Sequence, residues 1–197
     1  MTRVSLRVLA ALATGLLMCS TVSFADHHTG FKADLLMQID EVQKQIMSLE
    51  DAVPQQKYTW RPAEGVRSVS EVYAHIAFAN YLLLNLAGYK PPADAGWSMD
   101  LKKWDTATTD KKEIAGKLAK SFDHLKSTVN TISDADLEKE VDFFGTKMSL
   151  RSTLMSALSH LHEHLGQSIA YARMNGVVPP WTAEQQKKEK EAIEKKN

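Results

Sequence analysis

The chain predicts an all-α fold: a four-helix bundle followed by a short charged C-terminal tail. Three observations carry this. Four long stretches place apolar residues at helical spacing, each with recognisable start or stop residues at its ends. The 197 residues are 44% hydrophobic and 24% charged, which suits one domain with a core of ordinary size. The single cysteine, Cys19, falls in an N-terminal segment expected to be removed. The mature domain is then stabilised by packing alone, as a helical bundle is. No internal repeat and no second domain shows.

The first element is that N-terminal segment, residues 1–25. Arg3 and Arg7 precede an uncharged run from Val8 to Ala25 with a strongly apolar centre, and Ser23-Phe24-Ala25 places small residues at the −3 and −1 positions of a cleavage site. This is the pattern of a secretory signal peptide. Its apolar core is short for a membrane span of about 20 residues, and Met18 before Cys19 does not suit lipoprotein processing. The expected compartment is therefore the periplasm or the exterior, with no stable membrane span after cleavage. A cut after Ala25 would start the mature chain at Asp26-His27-His28. In the plainer reading that is a solvated terminus; a third-position histidine behind a free amine also matches a square-planar Cu(II) or Ni(II) site.

The bundle is expected over residues 26–181. Its first helix runs from about Phe31 to Ala52 on a stripe of Leu35, Leu36, Ile39, Val42, Ile46 and Leu49, and Pro54 ends it. The second opens with the capping-box pattern Ser68-Val69-Ser70-Glu71 and runs to Ala87 before Gly88. It is apolar over most of its circumference, so neighbours must enclose it. A polar connector with Pro91-Pro92 and Gly96-Trp97 leads to a third helix from near Asp110 to about Ile132. Ser133 to Asp136 starts a short helical turn, and Glu140 to Met148 reads as a brief extended excursion around Gly145. The fourth helix, from Ser149, carries Leu150, Leu154, Ala157, Leu158, Leu161, Leu165, Ile169 and Ala172 on one face. Gly176 supplies a left-handed stop, and Pro179-Pro180 are expected to prevent resumption. Residues 182–197, rich in Glu and Lys, read as a charged tail, a frayed and solvated helix.

Charge sets one function class aside. Basic and acidic residues balance at 24 each, and loss of Arg3 and Arg7 leaves about −2, so nothing argues for nucleic acid as a partner. Histidines argue for something else. On the fourth helix His160 and His164 lie one turn apart on the same side and can converge on one metal ion, with nitrogens roughly 2.0–2.1 Å from it. His162 points about 200° away from each. On the second helix His75 falls within the arc of Val72, Ala79, Leu82 and Leu86. A lone histidine there is ordinarily a hydrogen-bonded core residue, and an i,i+4 pair also arises by accident. Three inward-capable histidines from two bundle helices, however, are the right number for an open metal site. His124 and His162 read as surface or rim residues.

Other chemistries lack their motifs. The one His-Glu dipeptide is His162-Glu163, and three residues after Glu163 stands Gly166 instead of the histidine a zincin needs. No G-x-S-x-G and no glycine-rich phosphate loop is present.

Taken in order, several motifs resemble the DinB/YfiT-like superfamily of four-helix bundles. They are Tyr58-Thr59-Trp60-Arg61-Pro62 before a helix, Ser68-Val69-Ser70-Glu71-Val72-Tyr73-Ala74-His75 opening it, and His160-x-x-x-His164-Leu165-Gly166-Gln167, with Tyr171, Arg173, Asn175-Gly176 and Pro179-Pro180 beyond. The match covers roughly Lys32 to Trp181. The resemblance implies that His75, His160 and His164 bind a divalent metal. It also implies an activity among metal-dependent hydrolases or enzymes that add low-molecular-weight thiols to substrates, although many members of the family have no known activity.

Three neutral imidazoles leave at least one coordination position for water or substrate, and imidazole ligation suits zinc or nickel. The expected export favours a hydrolase over a thiol transferase, since reduced thiols are scarce outside the cytoplasm. The expected partner is an unidentified small-molecule substrate; self-association into a homodimer stays open. A non-catalytic metal-binding or interaction bundle is the alternative. Glu71, one turn before His75, and Gln167, near His164, are the candidate hydrogen-bond partners behind the ligands; the sequence identifies no general base.

Overall fold

The computed structural model describes residues 30–195. The expected signal peptide and the Asp26-His27-His28 terminus lie outside the described residues. Among those described, four long helices form the bundle: α1 (Phe31–Ala52), α2 (Val69–Leu86), α4 (Lys111–Thr131) and α5 (Leu150–Met174). Between α2 and α4 lies a short helix, α3 (Leu101–Asp105); between α4 and α5 lies a hairpin of β1 (Glu140–Phe143) and β2 (Thr146–Ser149); α6 (Pro180–Glu194) ends the chain. The fold is an all-α bundle with one small antiparallel ribbon. No helix among the described residues is long and apolar enough to cross a membrane.

α2 is the central element, packed against α4, α5 and α3, while α1 closes the bundle against α5 and α4. Its all-round apolar surface is explained by that enclosure: Val72, Tyr73, Ile76, Ala77, Phe78, Tyr81 and Leu84 are all buried. A single cluster unites these with Ile39, Ile46, Ile114, Leu118, Phe122, Leu154 and Leu161. One buried polar contact crosses it, from Asn80 Nδ2 on α2 to Ser121 Oγ on α4 at 3.1 Å.

The start of α2 is fixed with unusual completeness for a helix end. Ser68 N–H donates to Glu71 Oε2 at 2.7 Å, and Ser68 Oγ accepts from Glu71 N–H at 3.3 Å, the reciprocal capping box that the sequence predicts. Val69 and Ser70 N–H donate to the carbonyls of Trp60 and Tyr58 at 3.0 and 2.9 Å. Four amide donors are thereby satisfied, and the register of the helix that carries His75 is set by the connector before it.

The expectations for the ends of the chain need one correction. Gly176 does stop α5, at φ +76°, with Val177 N–H returning to Ala172 O at 2.9 Å. The two prolines do not prevent a new helix. Pro180 is the first residue of α6, where a missing N–H costs nothing and the fixed φ suits the helix. α6 is a regular helix with no buried residue, extended by exposed pairs such as Glu184–Lys188.

The excursion around Gly145 is the β1–β2 hairpin, with Phe143 paired to Thr146. Its two turn residues, Phe144 and Gly145, have φ of +54° and +85°. A two-residue turn of this kind favours Asn-Gly; a phenylalanine in the first position is strained.

Candidate metal centre

α2 and α5 lie side by side, and their contact brings His75 of α2 against His160 and His164 of α5. One ligand nitrogen from each of the three lies within 4.8 Å of the others. His75 Nε2 and His160 Nε2 are 3.2 Å apart. Two nitrogens bound tetrahedrally to one ion at 2.0–2.1 Å stand about 3.3 Å from each other, so this pair already has the spacing that one ion requires. The ring centroids lie 4.3 to 5.1 Å apart.

The outward nitrogen of His164 is committed. Its Nδ1 faces Gln167 Oε1 at 2.8 Å; Gln167 Nε2 donates to Tyr171 Oη at 3.1 Å, and Tyr171 donates to the Arg67 carbonyl at 3.1 Å. An imidazole that donates from Nδ1 keeps its lone pair on Nε2, the ligating tautomer. Gln167 therefore takes the role expected for it. Glu71 does not. Its carboxylate is used by the capping box and by Arg61 Nη2 at 3.1 Å, because the residue that begins a helix must satisfy the helix's own amides first.

The carboxylate that does face His75 is Asp105, the last residue of α3. Its Oδ1 stands 3.9 Å from His75 Nδ1, while its Oδ2 accepts from Arg67 Nε at 2.8 Å. Neither His75 Nδ1 nor Asp105 Oδ1 has a hydrogen-bond partner, although both are buried; His160 Nδ1 is likewise unpaired. Sequence reading missed Asp105 and Arg67. α3 is five residues long, too short for periodicity to reveal, and its one signal is Asp100, whose side chain accepts from Lys103 N–H at 3.0 Å as an N-cap.

Burial, and then the nearby Arg67 and the other two histidines, push the His75 pKa down to about 3. Burial foremost, then His164 and Arg67, push His160 down to about 4. Both are uncharged at neutral pH, the form a metal ion needs. Burial pushes the Asp105 carboxyl above its ordinary range, opposed by the Arg67 hydrogen bond. One side of the site is aromatic: Phe78 stacks on His75 at 6.5 Å and packs against Trp97 and Trp104. Nitrogen-only donors and convergent spacing fit a divalent metal ion.

A cleft of about 720 Å³ adjoins the site and shares Arg67, Asp105 and Gln167 with its surroundings; Arg61, Glu71 and Lys102 also line it. The three histidines line neither this cleft nor a larger groove of about 960 Å³ along α1, near Met37 and Lys44, which also shares none of their partners. His162 is exposed, with Nδ1 on the Leu158 carbonyl at 3.0 Å, as expected. His124 is a half-buried rim residue beside Tyr81, ring to ring 5.5 Å, and takes no part in the cluster.

The class defined here is a helical bundle whose second and last long helices bring together three histidines that could hold a metal ion. The chain belongs to the DinB superfamily, whose family model matches residues 38–168. It is 25% identical over 132 residues to the uncharacterized protein YjoA of Bacillus subtilis, covering 65% of this chain and 80% of that one. Among solved structures it is similar to a DinB-like protein from Bacillus cereus, with a TM-score of 0.63 and 23% identity over 76% of this chain and 93% of that one. The YjoA structure matches at TM-score 0.58 and 19% identity, covering 74% and 93% of the two chains. A conserved protein from Enterococcus faecalis matches at 0.60 and 15%, covering 74% and 96%. At these identities the solved structures show the fold.

Proposed function

We propose that this chain is an exported, metal-dependent hydrolase that holds one divalent ion, zinc or nickel, on His75, His160 and His164 and acts on a small molecule bound in the adjoining cleft. The observation that supports it most is the convergence of three imidazoles from two helices, with His75 and His160 standing 85 residues apart in sequence. An ion held by three imidazoles keeps a free position, where zinc lowers the pKa of water toward about 7. Burial keeps His75 and His160 unprotonated, so protons do not compete for them near neutral pH. Gln167 fixes the tautomer of His164. The Phe78, Trp97 and Trp104 wall limits water on the His75 side, and Arg61 and Lys102 give the cleft cationic groups for the polar end of a substrate.

The test is metal analysis of protein purified from its native compartment, followed by a panel of ester, amide and phosphoester substrates. The expected result is close to one equivalent of metal and a turnover that chelation abolishes and metal restores. Stoichiometric metal with no turnover on any substrate would contradict the hydrolase and leave a metal-binding bundle.

A further inference from the structure

We propose that Asp105 is a positioning residue for the metal centre: it accepts the Nδ1 proton of His75 when an ion occupies the Nε2 side, and Arg67 steadies it from behind. The inference rests on the metal-binding reading above and concerns a residue outside the ligand set. A neutral imidazole carries one N–H and one lone pair. Ligation through Nε2 therefore places the proton of His75 on Nδ1, in a buried setting that needs an acceptor. His164 already has one in Gln167. His75 has none in contact, yet an equally unpaired carboxylate oxygen faces it at 3.9 Å.

Two buried, unpaired atoms of complementary character facing each other are unusual, because buried polar groups are nearly always satisfied. A movement of about 1 Å would bring them to hydrogen-bond distance. The local construction favours that approach. Trp104, the neighbour of Asp105, donates its indole N–H to Ala74 O at 2.8 Å, which pins α3 to α2 one residue before His75. Arg67 holds only Oδ2, through Nε at 2.8 Å, and leaves Oδ1 free. Gln167, the partner of His164, is tied through Tyr171 to the Arg67 carbonyl. Arg67 thus links the groups behind two of the three ligands, by its backbone to one and by its side chain to the other. α3 also supplies Leu101, Lys102 and Asp105 to the cleft wall, so the same contact joins ion occupancy to the surface that a substrate would meet.

The experiment is zinc titration of the full mature protein against a chromophoric chelator, with proton NMR of the imidazole N–H region. Wild type is compared with Asp105→Ala, Asp105→Asn and Arg67→Ala. Asp105→Ala is expected to weaken zinc binding about 10–100-fold, the usual effect of losing such a partner, and to abolish a zinc-dependent His75 N–H resonance. Asp105→Asn keeps an acceptor oxygen; it should retain the resonance, shifted upfield, and lose affinity only severalfold. Arg67→Ala removes the ion pair but not the acceptor, and should weaken binding less than Asp105→Ala does while keeping the His75 N–H resonance. Should Asp105→Ala not fold, Asp105→Asn carries the test, and wild-type affinity with an unshifted resonance would overturn the proposal. Equal losses in Asp105→Ala and Arg67→Ala would overturn it too, since they would mean that only the ion pair matters. If wild type bound no zinc, the metal-binding reading would fall with it; if wild type bound zinc and both Asp105 variants matched it, this inference alone would fall.

Discussion

Metal-free protein should lose stability on mild acidification, and His75 and His160 should account for most of the loss between pH 7 and pH 5. An unfolded histidine titrates near 6.5, whereas burial holds these two at about 3 and about 4 in the fold. Because the folded values lie below the unfolded one, the stability is fully present above about pH 6.5. It is lost as pH falls toward the folded values, where the unfolded chain binds more protons. Each histidine then contributes close to one proton, or about 1.4 kcal/mol per pH unit. Integrated from pH 7 to pH 5, the pair should cost about 4 kcal/mol, or about 2–4 kcal/mol once relaxation around the charged ring is allowed for. Urea denaturation of chelator-treated protein at pH 7, 6 and 5 measures this, with a His75→Asn/His160→Asn variant beside wild type. Wild type should lose stability more steeply than the variant as pH falls, because the variant lacks the linkage while every other titrating group is shared. Parallel loss in both proteins would refute the claim that these rings are held neutral by the fold.

Other outcomes follow from the same geometry. Adding metal at a hundred times Kd should stabilise the fold by about 2.7 kcal/mol, or about 5–11 °C in Tm for a domain of this size, while chelation leaves the helical circular dichroism intact; an unfolded apo protein would disprove an independent core. Glu50 is buried against the Tyr58 hydroxyl, which donates to it, and burial raises its pKa above 4.5. Its contribution is present below the ordinary carboxylate range and lost as pH rises through the raised folded value, so Glu50→Gln should gain on wild type across that interval and gain no more above it in denaturant melts. Ser68→Ala removes the capping box and should cost about 1 kcal/mol, within a range of roughly 0.5–2. Phe144→Asn relieves the left-handed strain at the hairpin tip and should stabilise by about 1 kcal/mol in the same assay.

Most of the bundle was legible because its signals are local. The stripe from Leu35 to Leu49, the Ser68–Glu71 cap and the Gly176 stop each declare themselves within one or two turns. The His160 and His164 pair was visible for the same reason, since i,i+4 neighbours share a face whatever the tertiary context. What the sequence hid depends on through-space neighbours. Asp105 sits on a five-residue helix that no periodicity can reveal, and its pairing with Arg67 spans 38 residues. Glu71 looked like a partner for His75 because it is one turn away, but the helix N-terminus claimed it. Proton competition at the site is also a tertiary effect: unperturbed histidines would titrate near 6.5, and burial first, then Arg67 and the neighbouring histidines, moves His75 and His160 lower.

The central claim is that His75, His160 and His164 together hold one divalent ion. Zinc affinity of wild type and five single alanine variants, measured by chelator competition on the metal-free protein, tests it most directly. Wild type should bind one equivalent, and His75→Ala, His160→Ala and His164→Ala should each weaken binding by well over tenfold, since each removes one of three ligands. His124→Ala and His162→Ala should bind like wild type, because neither ring reaches the cluster. Equal losses in all five variants, or no stoichiometric binding in wild type, would contradict the account.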